Sequence, residues 1–136
     1  MRFHVAAYDA ATSDATTARG SFCLAAGHEI FDHHFPERAV VPGNTVLEAA
    51  AQLAHLHEMA QSSGTTAFLL DRVVTARWTR LVGPDERVDI TLSPKQAADG
   101  RRSYAVSCAV GDEPSATIEI EGRLVPHVVE PGEDRP

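Results

Sequence analysis

Three residues in one short stretch are suited to proton chemistry beside a carbonyl group. His34 lies in a segment that contains Pro36 and Pro42, which rule out a regular helix there. Gly43 marks the start of a predicted helix, where free backbone N–H groups point outward, and Glu48 is expected in its first turn. An imidazole, a carboxyl group and an N–H donor to an oxyanion are the parts needed to remove a proton next to a carbonyl.

Each of these residues also has an ordinary structural explanation. Thr45 and Glu48 have the spacing of a capping box, in which the carboxylate only holds the helix start. His34 fits a hydrogen-bonded loop histidine, and Gly43 fits a turn that needs the backbone freedom of glycine. Taken one at a time, the three residues leave both interpretations open.

The helix after Pro42 has an unusual composition. Asn44 or Thr45 is expected to cap it, and an Ala/Leu-rich sequence continues to about Ser62. Apolar residues cover nearly every face, which predicts a helix buried on all sides.

Strands are predicted on both sides of this helix. A short strand is expected near Phe3–Tyr8 and a strand-like segment from Ser21 to Phe31. Alternating apolar residues and turn signals predict four further strands, namely Ala67–Leu81, Arg87–Ser93, Arg102–Val110 and Ser115–Val125. One buried helix with one curved antiparallel sheet is an α+β arrangement.

The stretch from Phe31 to Leu53 resembles the 3-hydroxyacyl-[acyl carrier protein] dehydratases of fatty acid synthesis. Those enzymes carry a Gly-His-Phe-Pro loop, then Pro-Val-x-Pro-Gly, then Glu-Ala-x-Ala-Gln. The matching segments here are His34-Phe35-Pro36, Val40-Val41-Pro42-Gly43 and Glu48-Ala49-Ala50-Ala51-Gln52, with the family's fourteen-residue step from histidine to acid. The resemblance implies a hot-dog fold, as a single domain over residues 1–128, and we expect the polar tail 129–136 to be disordered.

The resemblance also implies roles for the matched residues. His34 would be the general base, and Glu48 the acid, with burial favouring its neutral form. Gly43 would supply the oxyanion N–H, the carbonyl of Val40 would orient His34, and Gln52 would support Glu48. Phe35 and Pro42 complete the substrate-binding motif.

The same resemblance implies an assembly and a substrate carrier. His and Glu of one site would come from different protomers of a dimer. The acyl chain would be carried on the phosphopantetheine of an acyl carrier protein, and neither a metal nor an organic cofactor would be needed.

Departures from the family pattern bear on the substrate and the partner. His33 replaces the usual glycine, Glu37 another glycine, Ala39 a common proline, and Asn44 an apolar residue. They leave open an altered substrate or pairing with a different hot-dog chain. Glutamate rather than aspartate at position 48 favours the plain dehydratase over the relative that also isomerises the double bond.

Charge limits the choice of partners. The net charge of −7 argues against nucleic acid or an anionic membrane. Acyl carrier proteins are acidic, so docking needs a local basic patch, for which Arg72, Arg77 and Arg80 are candidates. A solvated strand face explains these arginines equally well.

The remaining motifs predict an ordinary cytoplasmic protein. No long apolar run or secretory signal is found, and Cys23 and Cys108 are expected to be small buried thiols in a reducing compartment. His55 and His57 are two apart on the helix, so they face different sides and are not expected to bind a metal. Trp78 is expected in the core or in a tunnel wall.

Two other functions remain open at this level. A hot-dog acyl thioesterase uses a carboxylate and a helix N-terminus but needs no His-Phe-Pro loop. A subunit that works only with a partner hot-dog chain would account for His33 and Glu37. The sequence does not separate primary fatty acid synthesis from polyketide or polyene synthesis, although the excess of arginine over lysine weakly favours the latter.

Overall fold

The computed structural model describes residues 6–32, 39–95 and 100–127. These residues form six strands and one long helix: β1 (Ala7–Tyr8), β2 (Ala18–Cys23), α1 (Gly43–Gln61), β3 (Thr66–Trp78), β4 (Arg87–Lys95), β5 (Arg101–Val110) and β6 (Glu113–Pro126). Two short 3-10 turns, Ala10–Thr12 and Glu29–Phe31, lie between the first elements.

The strands form one antiparallel sheet in the order β1-β2-β4-β5-β6-β3. Register shifts in the β3–β6 pairing, between Leu70 and Arg72 and between Val73 and Thr75, bend the sheet. The helix packs on the inner face, where Leu53 meets the inward residues of the central strands. This arrangement confirms the predicted hot-dog fold.

Strand alternation explains how the sheet supplies the core. In β4, Val88, Ile90 and Leu92 are buried while Arg87, Asp89 and Ser93 are exposed, as the period of two predicts. Three alanines of α1, Ala49, Ala50 and Ala54, are fully buried, so the helix backbone lies close to the strands.

Three local predictions were wrong. The second strand runs from Ala18 to Cys23 rather than from Ser21 to Phe31, because these six residues are the ones that pair with β4, which begins opposite Cys23. Cys23 is exposed, since its neighbours Phe22 and Leu24 take the inward positions, whereas Cys108 is buried. Pro42 occupies the N-cap position without a side-chain cap, so neither Asn44 nor Thr45 caps the helix.

The helix is also not buried on all sides. One stripe, which includes Asn44, Glu48 and Leu56, is exposed. A single sheet covers one side of a helix, and alanines on every face do not reveal which side that is. Within the described residues, no helix is both long and apolar enough to span a bilayer.

Candidate active site

The N-terminus of α1 opens into a small apolar cavity. Gly43 is the first helical residue, so its N–H is among those that have no partner within the helix. The indole of Trp78 covers this position, and a Cβ on Gly43 would lie 3.0 Å from Trp78 Cζ2. The cavity, of about 230 Å³, also has the buried Val40 and Pro42 in its wall. Trp78 is therefore a cavity wall that remains 45% exposed, rather than a core residue.

Glu48 lies in the second helical turn and its side chain is exposed. Because Pro42 is the N-cap and Glu48 is the sixth helical residue, the capping-box explanation of Glu48 is wrong. Gln52 Nε2 donates to Glu48 Oε2 at 3.1 Å, and Gln52 Oε1 accepts from the backbone N–H of Ala6 at 3.4 Å. Glu48 was expected to be buried, but within one chain it is exposed, because none of the described residues covers the stripe of α1 on which Glu48 lies.

A second cavity, of about 450 Å³, has Glu48 in its wall. It lies between α1 and the first residues of β3, and its lining comprises Ala6, Glu48, Ala51, Gln52, His55, Leu56, Phe68 and Leu69. A mainly apolar groove that includes a few polar side chains, here Glu48, Gln52 and His55, is typical of a site that binds a small molecule.

His55 was not included among the predicted site residues, yet it borders the same cavity. Its Nδ1 accepts a hydrogen bond from the backbone N–H of Phe68 at 3.4 Å. Burial, with a smaller contribution from nearby His127, lowers the pKa of His55 below its ordinary value. The sequence signal was its spacing from Glu48 and Gln52, at positions i, i+4 and i+7 of one helix face.

The second helix histidine belongs to a different, buried cluster. His57 Nε2 lies 2.7 Å from the carbonyl oxygen of Asp14, and Nδ1 lies 3.3 Å from the hydroxyl of Tyr104. That hydroxyl donates to the carboxylate of Glu58, whose Oε2 also lies 3.0 Å from Nε of Arg102. Burial, and then the bond to Glu58, raise the pKa of Tyr104 well above its ordinary value. Glu58 and Tyr104 are buried, so this cluster holds the C-terminal half of α1 to β5.

His34 and Phe35 lie outside the described residues, so their predicted positions remain predictions. The same holds for the orientation of His34 by the Val40 carbonyl, although Val40 itself is buried beside Gly43. Among the described residues, no group of three or more His, Cys, Asp or Glu side chains has a metal-binding arrangement.

The exposed apolar surface of the described residues is concentrated on β3. This strand is at the sheet edge, and Leu69, Leu70, Val73, Val74 and Trp78 are all at least 38% exposed. The two cavities lie at opposite ends of it, because Leu69 borders one and Trp78 the other. A long apolar edge strand is a surface that proteins normally cover.

Two of the three arginines proposed as a docking patch are in ion pairs. Arg72 lies 3.6 Å from Glu121, and Arg80 lies 2.8 Å from Glu86 and 2.9 Å from Glu113. The bond from Arg80, then that from the Gly83 N–H, lowers the pKa of Glu86 to about 2. Neighbouring carboxylates therefore offset much of the positive charge of this segment.

Comparisons with known proteins point to one enzyme family. The model of the ApeI-like family, described as ApeI dehydratase, matches residues 10–117. The 3-hydroxyacyl-[acyl-carrier-protein] dehydratase FabZ of Alkalilimnicola ehrlichii is 32% identical over 94 residues, covering 66% of this chain and 61% of the relative. FabZ of Ralstonia nicotianae is 31% identical over 94 residues, covering 66% and 57%. The chain thus spans about three fifths of the length of these relatives.

Solved structures share the fold at low sequence identity. The protein smu.793 of Streptococcus mutans, bound to acetyl CoA, superposes with a TM-score of 0.71 at 6% identity and 95% coverage of both chains. A mutant of thioesterase PA1618 from Pseudomonas aeruginosa superposes with a TM-score of 0.69 at 14% identity, covering 89% of this chain and 81% of the other. At such identities the likeness establishes the fold alone.

Proposed function

Because the chain belongs to the ApeI-like dehydratase family, we propose that it removes water from a 3-hydroxyacyl thioester to give the trans-2-enoyl thioester. The observation that carries this proposal is Glu48, which accepts a hydrogen bond from Gln52 and lines a mainly apolar groove. The substrate would be carried by an acyl carrier protein, as the names of the FabZ relatives indicate for those proteins.

The proposed reaction divides among three groups. His34 takes the proton from C2 while the thioester oxygen, which gains negative charge, accepts from the Gly43 N–H. The C3–O bond breaks as the C2–C3 double bond forms, and the leaving oxygen takes a proton from Glu48 and departs as water. Return of the proton from His34 to Glu48 through solvent resets the site. Gln52 acts as a positioning residue, since its amide fixes the Glu48 carboxylate.

Because Glu48 is exposed in one chain, the proposed site needs a second hot-dog chain to enclose it. If two β3 strands pair antiparallel, the Trp78 end of one lies beside the Leu69 end of the other. The Gly43 cavity of one chain then meets the Glu48 cavity of its partner. This pairing would cover the exposed apolar side chains of β3 and place His34 and Glu48 of different chains in one site.

The experiment is mass spectrometry of a 3-hydroxyacyl thioester incubated with the purified protein, with sedimentation to give its oligomeric state. We expect a loss of one water, absent with His34→Ala and with Glu48→Ala, while both variants remain folded dimers. Glu29→Ala, which changes an exposed carboxylate outside the site, is the matched control. Release of the free acid would instead establish a thioesterase. An unchanged substrate from a folded protein would indicate a subunit that needs a different partner chain.

A further inference from the structure

One histidine that the proposed mechanism does not use lies in the cavity of Glu48. His55 follows Glu48 by seven residues, which is about two helical turns or roughly 10 Å along the axis. Both side chains line the cavity between α1 and β3, where Leu56, Phe68 and Leu69 form its apolar wall. An acyl chain whose C3 lies at Glu48 and which extends along this groove therefore passes His55.

The hydrogen bond from Phe68 determines which ring nitrogen carries the proton. Nδ1 of His55 accepts from the Phe68 backbone N–H at 3.4 Å, so the proton of the neutral ring is on Nε2. Burial and the nearby His127 lower the pKa of His55, which favours this neutral form at neutral pH. His55 therefore brings one N–H donor to a wall that is otherwise largely apolar.

We propose that His55 determines substrate choice, by favouring acyl chains that carry an uncharged oxygen acceptor at the distance of His55 from the reacting C3. The proposal rests on the dehydratase function for the placement of C3 beside Glu48. A hydroxyl, carbonyl or ether oxygen satisfies the Nε2–H when the groove is filled. A plain alkyl chain removes water from this donor and returns no hydrogen bond, which weakens binding.

The test separates the Nε2–H donor of His55 from the rest of the ring. Asparagine at position 55 places its amide near the position of Nδ1, so it keeps an acceptor for the Phe68 N–H but does not reach the position of Nε2. Glutamine reaches the Nε2 position with an N–H donor, and leucine has neither group. His55→Asn, His55→Gln and His55→Leu thus form a matched set, and thermal unfolding shows that each is folded.

Binding is measured by calorimetry with pantetheine amides that lack the 3-hydroxyl group, which are neither dehydrated nor hydrolysed as thioesters. One series has a plain alkyl chain, and the other carries a single oxygen stepped along a chain of equal length. We expect the wild-type protein to bind the best oxygen-bearing analogue about tenfold more tightly than the alkyl one, a typical value for one hydrogen bond to a buried donor. His55→Gln should keep this preference, whereas His55→Asn and His55→Leu should lose it.

Equal affinity of the wild-type protein for the two series would overturn the proposal, as would a preference that survives in His55→Leu. These results are distinct from failure of the proposed function, because that function is read from turnover of the matching 3-hydroxyacyl thioesters. A binding preference without enoyl product would retain the role of His55 in ligand selection and reject the dehydratase. Turnover without a binding preference would retain the dehydratase function and reject the role of His55 in ligand selection.

Discussion

Two glutamates on the same helix should respond in opposite ways to the same substitution. Glu48 is exposed and caps nothing, and within the described residues it accepts a hydrogen bond from Gln52. Glu58 is 5% exposed and accepts from Tyr104 while it pairs with Arg102. Glu48→Gln should leave the free energy of unfolding within about 0.5 kcal/mol of wild type. It should lower the dehydration rate by a factor of about 10² to 10⁴, because an amide cannot supply the proton.

Glu58→Gln should instead lower the stability of the fold and leave most of the dehydration activity. The amide keeps one oxygen acceptor but loses the negative charge and presents an N–H₂ group to donors. Arg102 is one-third exposed, so water compensates part of the loss, and we expect a cost of about 2 kcal/mol rather than the larger values found for fully buried pairs. For a chain of this size the midpoint of thermal unfolding should then fall by roughly 8 °C. Below that temperature most of the turnover should remain.

Urea unfolding followed by circular dichroism gives the stability, and mass spectrometry of the enoyl product gives the rate. The reasoning would be refuted if Glu48→Gln turned over at the wild-type rate. A loss of stability in Glu48→Gln equal to that in Glu58→Gln would also refute it, because the activity effect could then be ascribed to unfolding.

Three further predictions concern the sheet and its ion pairs. Val74→Lys, on the exposed edge strand, should dissociate the expected dimer and lower turnover, which sedimentation and rate measurements over a dilution series would check. Gly122→Ala should destabilise the protein by about 1–3 kcal/mol, since a Cβ there would overlap the Leu69 carbonyl oxygen, and urea unfolding with an unchanged midpoint would contradict this. The folded-state pKa of Glu86, about 2 beside Arg80, lies below the ordinary 4.5. Its stabilising contribution is therefore complete above pH 4.5 and is lost as the pH falls toward 2, so Glu86→Gln should flatten the pH dependence of stability across that window.

Local patterns predicted most of the fold because they report which side of each strand faces the core. The C-terminal end of α1 and the alternation of β4 follow from periodicity and turn residues alone, whereas the N-cap at Pro42 does not. The position of β3 at the sheet edge cannot be predicted in this way, because strand order depends on pairings between distant segments. A sequence containing Val73, Val74 and Trp78 predicts burial, and only the topology shows that one chain leaves these side chains uncovered.

Sequence spacing predicts those contacts of the candidate site that join residues of the same helix. Gln52 follows Glu48 by one turn, and the hydrogen bond between them is present. His57 is the histidine nearest to His55 in the sequence, and the two have no common function because their rings lie on different faces of the helix. The informative spacing is that from Glu48, seven residues earlier, which places both side chains on one helix face. The orientation of the His55 ring depends on the hydrogen bond from the Phe68 N–H, and no local sequence pattern predicts where Phe68 lies.

The exposed Glu48 and the uncovered β3 have one common explanation. A carboxyl group that donates a proton to a leaving hydroxyl works best where water is excluded, and Glu48 in a single chain is open to solvent. The edge strand next to its cavity is apolar for most of its length, which is costly unless another chain covers it. One pairing along β3 would remove both difficulties, since the partner would cover the apolar side chains and enclose the carboxylate. The stability of the assembly and the chemistry of the site would then depend on the same residues, so loss of the pairing should remove activity even though each chain keeps its fold.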